Sequence, residues 1–181
     1  MRKFEARLSG EGGQGVILAG AILAEAAILH EDRFAVQSPT YGSRVRGGPT
    51  KVDVIISDEE ITYPRTTAID FFLSLAQMSF DKFGADLTPQ TVILIDQNLV
   101  PDVSDREHKI YQYPFVEVAK NELGNEILCN IMALAVMAEL TGVVSRDALW
   151  QAIQARVPQK YIDLNEQAMH RGFEIATELA R

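Results

Sequence analysis

Apolar and polar residues alternate over residues 4–8, and a nearly continuous apolar run follows over residues 16–30. Alternation with a period of two is typical of a strand with one buried face, whereas a long apolar run is typical of a buried helix. The segment between them, residues 9–15, is rich in glycine and predicts a tight turn. The chain is therefore expected to begin with a strand, a glycine turn and a helix.

Further segments have the composition of strands, namely residues 34–37, 51–56, 69–75, 91–95 and 109–113. The segments at 69–75 and 91–95 are apolar on both faces, which suits the covered centre of a sheet. Residues 38–49 form a loop of turn-forming residues that joins two strands without a helix. The sheet is therefore expected to be mixed.

The last third of the chain has helical patterns. Asn125 can cap a helix that runs to residue 140, Ser145 can cap one that runs to residue 156, and Pro158 precedes a final helix. Strands that alternate with helices predict a three-layer α/β sandwich with a mostly parallel, mixed sheet, a Rossmann-like opening and a helical C-terminal third. A length of 181 residues and 47% hydrophobic composition suit a single domain over residues 1–181.

The net charge restricts the partners of the chain. A formal charge of -8 and a pI near 4.9 disfavour a nucleic-acid or anionic-membrane surface, because either needs a basic excess. The most apolar stretch, residues 16–29, is too short to cross a bilayer and contains Glu25. The N-terminus lacks the pattern of a secretory signal. We therefore expect a cytoplasmic protein without a nucleic-acid or membrane partner.

Cysteine and histidine usage predicts no metal site. The single cysteine, Cys129, cannot hold an iron–sulfur cluster, which needs about four thiolates, and is expected to be a small buried hydrophobe. His30, His108 and His170 have neither metal-ligand nor triad spacing, so surface or structural roles are expected. No constellation for general-base chemistry is present, and no catalytic residue is predicted.

The glycine turn is the sharpest local motif. Residues 10–15 satisfy the pattern G-x-G-x-x-G between a predicted strand and a predicted helix. Glycines let the backbone approach a ligand closely, and the free N–H groups at a helix start attract an anion. The candidate phosphate-binding residues are Gly12, Gly13, Gln14 and Gly15. The alternative is a tight turn that lets the helix pack close to the sheet and binds nothing.

A dinucleotide site needs a second anchor that the sequence lacks. Such sites usually place an Asp or Glu at the end of the second strand, where it binds ribose hydroxyls. Here the second strand ends at Gln37, and Glu31 and Asp32 precede it, so NAD and FAD are disfavoured. The turn also lacks the Lys-Ser/Thr of a Walker loop, and the chain has no thiamine-diphosphate pattern.

A second motif lies in the loop at residues 38–49. Arg44 and Arg46 lie among glycines in an otherwise acidic chain and can clamp phosphate or carboxylate groups. Tyr41 can stack on a ring or anchor a subunit contact. The alternative is a surface hairpin with solvated arginines.

One polar residue falls within the apolar helix pattern that follows Asn125. Asn130 is expected to be buried and therefore to need hydrogen-bond partners. Loop backbone within the fold is favoured over a ligand as that partner, because buried polar groups most often satisfy backbone groups.

Several stretches together resemble one protein family. Residues 10–16 (GEGGQGV), residues 41–48 (YGSRVRGG) and the strand at 54–57 are similar, in order and spacing, to the gamma subunit of 2-oxoacid:ferredoxin oxidoreductases. The resemblance also includes Ile61, Pro64, Asp70, Gly124, Asn125, Asn130, Asn165, Ala168 and Gly172. It implies a single gamma-type catalytic domain of the pyruvate/ketoisovalerate oxidoreductase kind.

The resemblance implies a subunit, inactive alone, of an enzyme of the 2-oxoglutarate type. Such an enzyme decarboxylates a 2-oxoacid on thiamine diphosphate, passes electrons through iron–sulfur clusters to ferredoxin and transfers the acyl group to coenzyme A. Thiamine diphosphate and clusters are then expected on partners, namely alpha and beta subunits and a ferredoxin-like or cluster-bearing subunit. Residues 12–15, Tyr41, Arg44 and Arg46 are expected to serve coenzyme A.

Other functions remain open at this point. The small subunit of indolepyruvate oxidoreductase resembles the same domain. An autonomous nucleotide-binding oxidoreductase is favoured only by the glycine pattern, and a structural subunit would leave the glycine turn without a ligand.

Overall fold

A six-stranded mixed sheet forms the middle layer of the computed structural model, which describes residues 3–40, 47–103 and 107–181. The strands are β1 (Lys3–Glu11), β2 (Phe34–Thr40), β3 (Pro49–Ser57), β4 (Phe71–Ser74), β5 (Val92–Asp96) and β6 (Lys109–Tyr113). Their order is β2-β3-β1-β4-β5-β6. The pairs from β1 through β4 and β5 to β6 are parallel, whereas β3 is antiparallel to both of its neighbours. The predicted mixed sheet is confirmed.

Helices cover both faces of the sheet unequally. They are α1 (Val16–His30), α2 (Gln77–Phe83), α3 (Phe115–Leu123), α4 (Cys129–Thr141), α5 (Arg146–Arg156) and α6 (Ile162–Leu179). The main core joins one sheet face to α1 and to α3 through α6. A smaller core places Phe80 and Phe83 of α2 against Phe72 and Ile93 on the other face. The predicted three-layer architecture is confirmed, with one short helix forming the thin layer among the described residues.

The C-terminal helices form a second tier above the sheet. All residues from 129 to 138 in α4 are buried, so this helix is enclosed on every side. Helix α6 packs on α4 through Gly172, where an added Cβ would lie 2.5 Å from the carbonyl oxygen of Met132. The absence of a side chain at Gly172 therefore sets how closely the two helices approach.

Two helices were not predicted from the sequence, because tertiary contacts stabilise their starts. The buried carboxylate of Asp96 accepts a hydrogen bond from the Val116 N–H at the start of α3 (2.8 Å). At the start of α2, the Gln77 N–H donates to the carbonyl of Leu99 (2.9 Å). Both partners lie about 20 residues away in sequence, so a local pattern does not reveal them.

Strand and helix boundaries also differ from the predicted ones. Strand β1 extends to Glu11, into the predicted turn, and β2 extends to Thr40, into the predicted loop, because both pair with β3 along their whole length. Asn125 caps the 3-10 helix Glu126–Leu128 and not α4 itself. Ser145 caps α5 as predicted, since its hydroxyl accepts a hydrogen bond from the Ala148 N–H.

A buried carboxylate holds the segment between β3 and β4 against the sheet. Glu5 accepts hydrogen bonds from the N–H groups of Thr67 (2.6 Å) and Ala68 (2.9 Å) and pairs with Lys3. Burial opposes ionisation, but these partners outweigh it and lower the pKa of Glu5. For Asp70 nearby, burial raises the pKa of the carboxyl, so its contribution to stability depends on pH in the opposite direction.

Replacing Glu5 with glutamine is expected to destabilise the protein at neutral pH by roughly 1–3 kcal/mol, because the N–H groups of Thr67 and Ala68 lose a charged acceptor. A lowered pKa gives stability that is present above the ordinary value of 4.5 and is lost as pH falls through the folded-state value. Urea denaturation at several pH values should therefore show the wild type and Glu5→Gln converging in acid. Glu60→Gln, an exposed carboxylate of the same segment, is the control. Equal losses in both variants would contradict the role of Glu5.

Candidate functional site

A cleft of about 830 Å³ opens at the carboxyl ends of β1 and β5. Its walls are residues 11–14 at the end of β1, Leu99 after β5, residues 125–130 leading into α4, and five residues around the start of α6, namely Val157, Pro158, Tyr161, Leu164 and Asn165. In the sheet, β2 and β3 lie on one side of β1, whereas β4, β5 and β6 lie on the other side, so the strand order reverses direction next to β1. Open α/β sheets usually bind ligands at such a switch point.

The glycine turn forms one wall of this cleft and has the backbone conformation that glycine favours. Gly13 has φ 111° and Gly15 has φ 74°, which L-residues with side chains rarely adopt. The Gly12 N–H donates to the carbonyl of Gly48 (3.0 Å), and the Gln14 N–H donates to that of Glu11 (3.1 Å). These bonds fix the turn against the segment before β3.

The side chain of Gln14, a predicted ligand-binding residue, is engaged within the fold. Its Oε1 accepts a hydrogen bond from the Glu11 N–H (2.7 Å), and its Nε2 donates to the carbonyl of Leu75 (3.0 Å). Gln14 therefore ties the glycine turn to the end of β4. Its amide group shapes the wall of the cleft, and its predicted contact with a ligand stays a prediction.

Asn130 links α4 to the glycine turn. Its Nδ2 donates to the carbonyl of Gly15 (3.2 Å), and its Oδ1 accepts from the Ile131 N–H (2.7 Å). The side chain is 3% exposed. The predicted bond from a buried Asn130 to loop backbone is confirmed, and it joins two cleft walls that are 115 residues apart in sequence.

The remaining amide groups of the turn are available to a ligand. The N–H groups of Gly13 and Gly15 have no hydrogen-bond partner among the described residues, and they lie where α1 begins. A helix start carries a partial positive charge. Gly13 lines the cleft and Gly15 directly precedes α1, so an anion beside Gly13 would find an unbonded donor and a favourable dipole.

The charges on the cleft wall oppose an anion elsewhere in the cleft. Within the described ranges, Glu11 and Glu126 are the charged residues of the wall, and no Lys or Arg lines it. An anionic ligand would therefore need positive charge from outside the described wall. Arg44, Arg46 and Tyr41, all predicted to bind the cofactor, lie outside the described residues.

One flank of that undescribed stretch lies beside the glycine turn. Thr40, which precedes the stretch, pairs with Lys51 at the end of β2. Gly47, which follows it, has its N atom 3.5 Å from where a Cβ of Gly12 would be. Gly47 therefore lies beside the glycine turn, whereas Thr40 lies two strands from β1.

Cys129 forms an apolar part of the wall. The residue is 1% exposed, and burial raises the pKa of its thiol to about 12. The thiol therefore stays protonated near neutral pH and lacks the thiolate that nucleophilic chemistry needs. Among the residues that the structure describes, no three His, Cys, Asp or Glu side chains converge as metal ligands.

The order of strands in the sheet argues against a dinucleotide-binding site. In a dinucleotide-binding fold, the second strand lies next to the first and carries the ribose-binding acid. Here β3 lies between β1 and β2, so the end of β2 is two strands away, about 10 Å. The strand that should carry the acid is therefore displaced from the glycine turn.

No helix in the described ranges is long and apolar enough to cross a membrane.

The fold and the cleft define a Rossmann-like α/β protein with a glycine turn at its switch point. The model of the pyruvate ferredoxin/flavodoxin oxidoreductase family matches residues 5–175. The 2-oxoglutarate synthase subunit KorC of Methanocaldococcus jannaschii is 40% identical over 181 residues, which cover 99% of this chain and 96% of KorC. The chain belongs to the pyruvate ferredoxin/flavodoxin oxidoreductase family.

Solved structures agree with this assignment. The gamma subunit of a keto/oxoacid ferredoxin oxidoreductase from Geobacter sulfurreducens PCA matches with a TM-score of 0.90 and 42% identity over 99% of both chains. A 2-oxoglutarate:ferredoxin oxidoreductase from Magnetococcus marinus, solved with 2-oxoglutarate, coenzyme A and succinyl-CoA, matches with a TM-score of 0.84. At 22% identity this second likeness concerns the fold alone, and it covers 99% of this chain but 32% of that one.

These comparisons confirm the resemblance drawn from the sequence. They support a gamma subunit of an oxidoreductase complex, and they do not favour an indolepyruvate subunit or an autonomous nucleotide-binding enzyme. The glycine turn is predicted by its sequence pattern, but the walls near Leu99 and Tyr161 are not. Pro158 and the helix cap at Asn125 were the available signals, since both mark breaks where a chain can line a cleft.

Proposed function

We propose that this chain is the gamma subunit of a 2-oxoglutarate:ferredoxin oxidoreductase and that its cleft holds coenzyme A in the assembled enzyme. The 40% identity to a 2-oxoglutarate synthase subunit over nearly the whole of both chains supports the first part. Thiamine diphosphate and the iron–sulfur clusters belong to partner subunits, and ferredoxin accepts the electrons of the complex. The assembly works in the cytoplasm.

The observation that carries the second part is the pair of unpaired amides at the start of α1. Gly13 lies on the cleft wall and Gly15 at the start of α1, whereas the Gly12 and Gln14 N–H groups are already bonded within the fold. Donors at a helix start favour a phosphate oxygen. Within residues 12–15, the backbone amides that remain to bind a coenzyme A phosphate are therefore those of Gly13 and Gly15.

Arg44 and Arg46 supply the positive charge that the described cleft wall lacks. A coenzyme A phosphate beside Glu11 would be repelled unless a cation lies between them. We assign that role to the two guanidinium groups, because Gly47, which follows this stretch in sequence, lies beside Gly12. Tyr41 in the same stretch offers a ring for the adenine base.

Replacing Arg44 and Arg46 together with alanine is expected to raise the KM for coenzyme A by about tenfold or more, since a charged hydrogen bond contributes about 1.5–3 kcal/mol. The measurement is steady-state turnover of the assembled enzyme with coenzyme A as the varied substrate, with the KM for 2-oxoglutarate unchanged. Lys82→Ala, an exposed cation of α2 on the opposite sheet face, is the control. An unchanged KM in the assembled enzyme would overturn the proposal, and a reduced yield of assembled enzyme would then make the loop a subunit contact.

A further inference from the structure

The sheet face opposite α1 is polar where β1, β3 and β2 lie side by side. Successive side chains of a strand point to opposite faces, and the main core takes the chain neighbours of Arg7 and Asp53 on the face of α1. The strand register then places Ser38, Asp53 and Arg7 in one row across the three strands. Arg7 and Asp53 are 5% and 8% exposed, so this row buries a charged pair outside the main core.

A pocket of about 230 Å³ opens over this row, and we call it the Arg65 pocket. Its charged lining residues come from the sheet, from the segment between β3 and β4 and from the turn after α2, namely Arg7, Lys51, Asp53, Arg65 and Asp86. Within the described ranges it shares no lining residue with the cleft at the glycine turn. Pockets for drug-sized ligands measure about 300–1,000 Å³, so this one suits a smaller molecule.

The wall of the Arg65 pocket carries a surplus of positive charge. Asp53 accepts hydrogen bonds from Arg7 (2.8 Å) and Lys51 (2.5 Å), and Asp86 accepts one from Arg7 (2.5 Å). Three cations thus line the pocket with two carboxylates, which leaves one positive charge unbalanced on the wall. In a chain of formal charge -8, such a local surplus favours an anion at this place.

Two of the cations have donors that the described part of the fold does not engage. Arg65 has no ion-pair or hydrogen-bond partner among the described residues. Lys51 can donate three hydrogen bonds and donates one there, to Asp53, while its ammonium lies 5.8 Å from the centre of the Phe83 ring. The Lys51 side chain is only 17% exposed. An acceptor in the pocket would therefore satisfy donors that are largely shielded from water.

We infer that the Arg65 pocket binds a small oxyanion, a phosphate or a carboxylate, between Arg65 and Lys51. The guanidinium fork of an arginine matches two oxygens of either group, and the lysine ammonium adds a point charge. The bound anion bridges Lys51 on β3 to the segment before β4, which Glu5 already holds through Thr67 and Ala68. The inference is independent of the proposed gamma-subunit role and of coenzyme A.

The test is titration of the 181-residue chain with sodium phosphate and with sodium acetate, followed by backbone amide signals in proton–nitrogen NMR spectra. Sodium chloride holds the ionic strength constant, so general screening does not change. Signals of residues 51–53 and 65–66 are expected to shift in a saturable way, and those of residues 12–15 report separately on the glycine turn. Tighter binding of phosphate or of acetate would identify the oxyanion, and either order supports the inference. Shifts confined to residues 12–15, or no saturable shift with either anion, would overturn it.

Arg65→Gln is expected to weaken binding of the preferred anion about tenfold or more, because it removes the fork that holds two oxygens. Arg65 is exposed, so the variant is expected to fold, and the same spectra show whether it does. Lys120→Gln is the matched control, since it removes one positive charge from an exposed position of α3 on the other sheet face. Equal affinities of the two variants for the anion would contradict the inference.

Discussion

Gly15→Ala is expected to destabilise the protein by about 2–4 kcal/mol, as the sum of a backbone term and a packing term. Gly15 has φ 74°, which costs an alanine roughly 1 kcal/mol. An added Cβ would also overlap Nδ2 of Asn130, whose side chain is buried and bonded on both sides. The turn must then shift, and the amides of Gly13 and Gly15 lose their position in the cleft.

Gly142→Ala is expected to have the backbone cost without the packing cost, so it separates the two contributions. Gly142 ends α4 with φ 62°, but an added Cβ there meets nothing within 4 Å. Denaturation of both variants should give a loss of about 1 kcal/mol for Gly142→Ala and a clearly larger one for Gly15→Ala. In the assembled enzyme, only Gly15→Ala should raise the KM for coenzyme A. Similar stabilities of the two variants would show that Asn130 does not brace the turn.

Gly172→Ala is expected to destabilise the protein by roughly 1–3 kcal/mol, although the same change in an exposed helix stabilises by about 1 kcal/mol. The new Cβ would lie 2.5 Å from the carbonyl oxygen of Met132 and 2.6 Å from the Cβ of Ala135. The first of these is backbone of α4, which is buried on all sides and cannot move aside cheaply.

Thermal unfolding of Gly172→Ala and of Gln167→Ala measures this effect. Gln167 is exposed on the same helix, so its replacement reports helix propensity without a change in packing. The melting temperature should fall for Gly172→Ala and stay nearly unchanged for Gln167→Ala. A rise for Gly172→Ala would mean that α6 is free to move away from α4.

The sequence predicted the elements whose signals are local. The alternation over residues 4–8, the apolar run over residues 16–30 and the cap at Ser145 each match an observed element. Helix α3 was missed because the carboxylate of Asp96 supports its start from a distant strand. Helix α2 was missed because it is short and is held by the smaller core.

The candidate site, like the fold, was predicted only where its signal in the sequence is local. The glycine turn was found from its pattern. The pattern could not show that the side chain of Gln14 is hydrogen-bonded within the fold, to the carbonyl of Leu75 and to the Glu11 N–H. The acidic, apolar character of the remaining walls also could not be predicted. Glu126 and Tyr161 reach the cleft from helices more than 100 residues beyond the turn, and only tertiary packing brings them there.

Hydrogen–deuterium exchange of the assembled enzyme, with and without coenzyme A, tests most directly whether the glycine turn binds this cofactor. A peptide that spans residues 9–18 contains the amides of Gly13 and Gly15, which should exchange more slowly once phosphate oxygens accept their hydrogen bonds. A peptide around Gly142, an exposed turn remote from the cleft wall, should not change. Slower exchange confined to residues 9–18 and to the peptide that contains Arg44 and Arg46 is the predicted result. Unchanged exchange of residues 9–18 at saturating coenzyme A would contradict it.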